Sequence, residues 1–244
     1  MKTLFLGKEK IQLATAESTN NYAAKLASLP HWIDGTAIVA ELQTKGKGQM
    51  GSTWLGEAGN LFCSFLLKLP FLSPQTLPNW NQAVSLAVFD TVKKFHSDQL
   101  WIKWPNDVIC KEGKVAGILI ENALQATSIK HSIIGIGINT QCAPNIEGAA
   151  CLNELPNKDD VFSELALQLE KRYFQLKAKN SDAIKLDYNE QLWMLGKPCH
   201  IKVKEHETKV LFQGQNHKGN ALFLDHNGPL ELGIKEFQWI SLPY

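Results

Sequence analysis

The sequence predicts an α+β fold: a mixed β-sheet with helices mainly on one face, followed by a small all-β unit. Three observations carry that prediction. Strand-like and helix-like runs follow one another without the strict alternation that builds a parallel sheet. Several runs repeat apolar residues at helical spacing, as Val84, Val88, Val92 and Phe95 do. After Leu195-Gly196-Lys197-Pro198 the period changes: Ile201/Val203, Val210/Phe212 and Leu222/Leu224 alternate with polar residues between Gly214, Gly219 and Gly228. The expected boundary falls there, with a main domain over 1–195 and a β domain over 196–244.

Taken in order, Ser18-Thr19-Asn20 opens a helix whose apolar face (Tyr22, Ala23, Leu26, Leu29) stops at Pro30. Thr36 to Leu42 reads as a strand. Residues 44–59 hold five glycines and little apolar content, a long loop. Leu61 to Leu67 is a buried strand by composition. Pro70, Pro74 and Pro78 break the chain before a helix from about Asn81 to Phe95. Short strands follow at Leu100–Lys103 and Val108–Cys110. Lys111-Glu112-Gly113 then turns into Val115–Ile120, and Ser132 to Thr140 is another strand. Helices at roughly 159–178 and 181–194 close the main domain, the first with Asn157 as N-cap and Asp160 three residues on.

Composition removes several classes. Of 244 residues, 25 are Lys or Arg and 24 are Asp or Glu, so the net charge is +1 and no sequence-wide basic field exists to hold a polyanion. Five cysteines are scattered, three of them in apolar strand-like runs, without metal-ligand spacing. That usage suits a reduced, cytoplasmic protein. The first residues have no apolar core of a signal peptide, and no run reaches the length of a membrane span.

The chemistry concentrates in the tract Lys103-Trp104-Pro105-Asn106-Asp107 and the run Lys114 to Glu121. A proline-locked turn bearing an amide and a carboxylate stands beside a strand that begins with lysine. Ala116 and Gly117 then give up side-chain bulk where a ligand or another backbone can come close. Period two along Ile133 to Asn139 puts Ile134, Ile136 and Ile138 on one face and Gly135, Gly137 and Asn139 on the other. That bare face suits a flat ligand, or a close contact between sheet and helix. The loop Gln43 to Gly51 interleaves Lys45 and Lys47 with Gly46 and Gly48, so that N–H groups and ammonium charge can meet one anion, although such a loop can also be a solvated linker. Trp54 reads as an anchor for that loop or a cap on the sheet. Singly, Lys114, Asp107 and Glu121 read equally as surface charges. No P-loop, dinucleotide fingerprint, Gly-x-Ser-x-Gly elbow or paired-histidine spacing is present.

Read together and in order, these motifs resemble the biotin protein ligase family: Glu17-Ser18-Thr19-Asn20, Gln43, the Gly/Lys loop ending at Trp54, Gly59-Asn60-Leu61, Lys103–Asp107, Lys114–Glu121 and Gly135–Asn139. The resemblance implies a catalytic domain like that of class II synthetases and lipoate ligases, with an SH3-like C-terminal domain. It implies an ATP-dependent ligase that makes biotinyl-5′-AMP and passes biotin to a lysine of a biotin carboxyl carrier domain. By the same resemblance Ser18, Thr19, Asn20, Gln43, Lys47, Gly48, Gln49, Lys114 and Gly117 would bind biotin. Lys114, Lys47 and Asp107 would carry the chemistry, and Asp107 would orient or deprotonate the incoming amine. Trp54, Asn106 and Asn139 would face the nucleotide, with Asn139 also toward Mg²⁺. ATP, Mg²⁺ and biotin are then substrates and ion, with no tightly held prosthetic group. DNA and membranes are not expected partners, because the match begins within the first twenty residues and leaves no room for a helix-turn-helix. A homodimer through a sheet edge stays open. The alternative is a lipoate or octanoate ligase or transferase of the same superfamily.

One departure stands out. The loop of that family is usually arginine-rich, whereas Lys47, Gln49 and Ser52 occupy this one. Lysine lacks the two-pronged geometry of arginine and glutamine lacks charge, so looser retention of the adenylate is expected.

Overall fold

A computed structural model describes residues 2–126 and 128–240, apart from the side chain of Met50. The chain runs β1 (Lys10–Ala16), α1 (Thr19–Ala27), β2 (Thr36–Gln43), β3 (Leu61–Leu67), α2 (Leu77–Lys94), β4 (Trp101–Lys103), β5 (Asp107–Ile109), β6 (Lys114–Gln125) and β7 (Ser128–Ile138). It continues with α3 (Lys158–Lys177), α4 (Ser181–Gln191), β8 (Pro198–Val203), β9 (His206–Gln215), β10 (Ala221–Asp225), β11 (Gly228–Leu232) and β12 (Gln238–Trp239).

Seven strands form one sheet in the order β1-β2-β3-β7-β6-β5-β4. Only β1 and β2 pair in parallel, and the other neighbours are antiparallel, so the sheet is mixed as expected. Its two faces are covered unequally. On one face Ala23 and Ala27 of α1 pack on Ile38, Leu66 and Ile133. On the other α2 buries Trp80, Val84, Val88 and Val92 between the sheet and the helices α3 and α4. Arg172 of α3 ties that layer together, pairing with Asp90 of α2 at 2.8 Å and Asp187 of α4 at 2.6 Å. The start of the chain is held by Glu170, whose buried carboxylate accepts the N–H groups of Leu4, Phe5 and Leu6.

Several boundaries differ from the sequence reading, each for a physical reason. β1 was not expected: it is an edge strand with only a few half-buried apolar residues, so its alternation is weak. α2 starts at Leu77 rather than Asn81, because Pro78 suits the first turn of a helix instead of preceding it. Asn157 caps α3 through the N–H of Asp159 at 2.9 Å, and Asp160 adds first-turn charge rather than closing a capping box. β6 and β7 extend past Glu121 as a projecting hairpin whose exposed residues carry little pattern.

The second sheet has the order β11-β10-β9-β8-β12 and is all antiparallel. β11 and β12 were not foreseen, being an edge strand with Gly and Pro and a two-residue strand. Phe212, Phe223, Phe237 and Trp239 fill this unit. Its core is continuous with that of the first sheet. Trp104 makes the junction: its ring stacks on Phe237 at 5.5 Å, its Nε1 donates to Gln215 at 3.0 Å, and its carbonyl accepts from Trp239. The tract that carries Asp107 is thereby clamped between the two sheets.

Candidate functional site

The cavity lies on the α1 face of the large sheet, where β7 and β6 carry glycines. It has a volume of about 740 Å³ and is lined by the start of α1, the 43–54 loop, the 103–107 tract, β6, β7 and residues 234–239.

One wall is a network of neutral and acidic groups. Ser18 caps α1, its Oγ accepting from the N–H of Asn21, which leaves Thr19 and Asn20 buried at the helix start. The Gln43 carbonyl accepts from the Thr19 N–H at 2.8 Å, and the Thr19 hydroxyl lies 3.2 Å from it. Ser64 of β3 sits 2.7 Å from the Thr19 hydroxyl and donates to Asn20 Oδ1 at 2.6 Å. Asn20 Nδ2 donates to Glu121 at 2.7 Å. Sequence reasoning missed Ser64, the only hydroxyl in the apolar run Leu61–Leu67, whereas Glu121 is the exposed strand residue that reading allowed and also accepts from Asn20. Ser64 pairs across strands with Gly135. A Cβ on Gly135 would stand 2.2 Å from Asn20 Oδ1, so this glycine makes room for the amide.

The loop forms the lid edge. Lys47 and Thr53 make an antiparallel bridge around a turn of 3-10 helix at Gln49–Gly51, and Gly48 N–H donates to the Ser52 carbonyl at 2.7 Å. Trp54 then folds down onto the paired glycines Gly117 and Gly137, where a Cβ would meet its ring at 2.5 and 2.4 Å. Of the two readings left open for the glycine face, close contact prevails: Asn20 of α1 comes up to Gly135 and the Trp54 indole covers Gly117 and Gly137. Trp54 and Gly117 do line the cavity, as does Gly48 with Lys47 and Gln49. Lys45, two residues from Lys47, turns away and pairs with Glu17 at 2.7 Å on the surface.

The opposite wall is cationic. Lys114 Nζ lies 2.7 Å from Asp107 Oδ1 and 5.1 Å from the centre of the Trp54 ring, so its ammonium is held over the glycines rather than in bulk solvent. Lys103 faces Asp107 across the β4–β5 pair. Burial draws its ammonium below the ordinary lysine range, opposed by Asp107 and reinforced by Lys114. Asn106 donates to the Ile118 carbonyl and accepts from the Ile118 N–H at 3.1 Å, pinning the tract to β6. With Lys47 and Lys235, four lysines line the cavity against one carboxylate, Asp107, among the described residues. In a chain of net charge +1 this is a local excess of positive charge.

Two outcomes lie outside the sequence reading. Ile234, Lys235, Phe237, Gln238 and Trp239 supply a wall from the second sheet. Nothing in their spacing marks them, because their place depends on the Trp104 junction. Asn139, expected toward nucleotide and Mg²⁺, does not line the cavity. It is 2% exposed, and its Nδ2 donates to Ala150 O at 2.8 Å and Lys114 O at 3.3 Å. It ties the start of β6 to residues 149–152, while its Oδ1 is buried without a hydrogen-bond partner among the described residues. Among the described residues Asp107, already paired with Lys114, is the one carboxylate lining the cavity, so a Mg²⁺ ion there would take most of its oxygen ligands from water or a bound anion.

A buried amide network opposite a lysine-rich wall is chemically suited to a polar organic molecule bearing anionic groups. The Biotin/lipoate A/B protein ligase family matches residues 13–139. The bifunctional ligase/repressor BirA of Bacillus subtilis is 30% identical over 246 residues, covering 97% of this chain and 73% of that protein. A biotin–[acetyl-CoA-carboxylase] ligase of Mycobacterium tuberculosis is 28% identical, covering 91% of this chain and 82% of that protein. Among solved structures, a biotin protein ligase from Aquifex aeolicus in complex with biotin and ATP has a TM-score of 0.77 at 28% identity, covering 95% of this chain and 98% of that one. The chain belongs to the Biotin/lipoate A/B protein ligase family.

Proposed function

We propose that this protein is an ATP-dependent biotin protein ligase. A biotin carboxylate oxygen attacks the α-phosphorus of ATP, and pyrophosphate leaves. The Nε of a carrier-domain lysine then attacks the acyl carbon of biotinyl-5′-AMP, forming the amide and releasing AMP. The family description spans biotin and lipoate, but the named relatives above are biotin ligases.

The observation that carries the reading is the convergence of Lys114, Lys47 and the Gln43–Thr19–Ser64–Asn20 network on one cavity. Both steps bring anions together or develop charge on oxygen, so positioned cations are the main catalytic need. In this reading Lys114 and Lys47 sit against the carboxylate and α-phosphate, and Lys103 and Lys235 add field along the nucleotide. The amide wall receives the ureido head of biotin, for which fixed donors and acceptors give more discrimination than apolar contact. Asp107, paired with Lys114, orients the incoming amine and accepts its proton once Lys114 engages phosphate. Asn106 and Asn139 hold the strands that present these groups rather than touching the reaction.

The test is pyrophosphate release with ATP, Mg²⁺ and either biotin, lipoate or octanoate, followed by transfer to a purified biotin carboxyl carrier domain. Release with biotin alone supports the proposal. Release with lipoate or octanoate instead, or no acid-dependent release, ends it.

A further inference from the structure

Two lysines of the second sheet stand in left-handed backbone: Lys204 in the β8–β9 turn at φ 54°, and Lys235 between β11 and β12 at φ 79°. That conformation suits glycine or asparagine and strains a lysine. Of the two, Lys235 alone lines the ligase cavity, beside Ile234 and Phe237. The turn that holds it is closed at both ends. The Glu236 N–H donates to the Gly233 carbonyl at 3.2 Å, and the Glu236 carboxylate accepts the Gly233 N–H at 2.6 Å. Lys235 takes the third position, where a turn of positive φ normally has glycine. Phe237, two residues on, is buried against Trp104 with ring centres 5.5 Å apart. The turn is thereby set against the tract that carries Lys103 and Asp107. A strained residue fixed in this way on a cavity wall points to a role in the site.

We propose that Lys235 holds the β- and γ-phosphates of ATP and then the departing pyrophosphate, an inference that rests on the ligase reading and narrows it. An ammonium on a long stem calls for an anion. Lys114 is already paired with Asp107, and the amide network lies on the other wall. In the adenylation step a bond forms from a carboxylate oxygen to the α-phosphorus. The bond from that phosphorus to the oxygen bridging the β-phosphorus breaks, and its electron pair leaves on pyrophosphate. Charge gathering on the leaving oxygens then meets a cation held in place beforehand. Lys235 acts in this first half-reaction and has no substrate contact in the second, once pyrophosphate has gone. A carboxylate of the carrier domain is the rival anion. Phosphate is favoured because Lys235 lines the same cavity as Lys103 and Lys114 rather than a separate surface.

The test compares Lys235→Gly, which removes the charge and relieves the backbone, with Lys204→Gly, which relieves the backbone outside the cavity. Glycine suits both positions, so both variants should fold. In pyrophosphate release with biotin and Mg²⁺, Lys235→Gly should raise the KM for ATP about tenfold, the scale of one contact to a charged group. Added pyrophosphate should inhibit it more weakly, and Lys235→Arg, which keeps the charge, should restore both. The KM for biotin and the rate of transfer from preformed biotinyl-5′-AMP to a carrier domain should not change. Lys204→Gly should match the wild-type protein throughout. An unchanged KM for ATP in Lys235→Gly, an equal rise in Lys204→Gly, or a defect confined to transfer from the preformed adenylate overturns the inference and leaves the ligase reading standing. No pyrophosphate release by the wild-type protein with any acid ends both.

Discussion

The two walls of the cavity are built on opposite principles. The amide wall is finished before any ligand arrives: Gln43, Thr19, Ser64, Asn20 and Glu121 already satisfy one another, and the buried ones sit on β3 and the start of α1. The lysine wall is made of long side chains on loops and strand ends, of which Lys114 is both paired with Asp107 and set against the Trp54 ring. Rigid, short, neutral groups give discrimination, because a mismatched ligand leaves them unpaired. Ammonium groups on long side chains give attraction for carboxylate and phosphate without the two-pronged geometry of arginine. Selectivity and electrostatic help are thus placed on different stretches of chain, and they should break separately.

The largest structural effect should come from Trp104→Ala. It removes a buried ring that joins the sheets, at a cost of about 3–5 kcal/mol in chemical unfolding. It should displace Lys103 and Asp107 while the amide wall, on the other side of the cavity, keeps its hydrogen bonds. Ser64→Ala should cost about 1–3 kcal/mol, since Asn20 Oδ1 loses its buried donor. Its kinetic signature should be a raised KM for biotin with the KM for ATP little changed. A raised KM for ATP instead would mean the two walls are not separable.

Gln49→Arg tests the loop. A fixed guanidinium in place of a neutral amide should slow escape of biotinyl-5′-AMP up to about tenfold, or ~1.4 kcal/mol, in a trapping assay without carrier. Equal escape from both proteins would show that the loop's missing arginines do not matter. The smallest effects should separate two neighbouring lysines: Lys47→Ala impairs turnover, whereas Lys45→Ala, which breaks only the surface pair with Glu17, leaves kinetics and melting unchanged.

What the sequence showed was the part governed by period and local chemistry. The division of β7 into an isoleucine face and a glycine face follows from alternation alone, and both faces stand as read. The hairpin that brings Asp107 to Lys114 was legible because turn and strands are contiguous. What required distance was not legible. Ser64 gains its meaning only when Gly135 and Asn20 come opposite it, and Trp54 was free to be an anchor or a cap until the glycine pair received it. Asn139 has the same residue type whether it faces a ligand or holds Lys114's carbonyl; only its burial decides. The wall at 234–239 depends on a junction made by Trp104, whose role no spacing could announce.

The account stands most directly on transfer of labelled biotin to a carrier domain with ATP and Mg²⁺, measured for the wild-type protein and Lys114→Ala at matched thermal stability. A loss of at least roughly 100-fold in rate is predicted, the scale of one transition-state electrostatic contact. Transfer within a few-fold of wild type would contradict it.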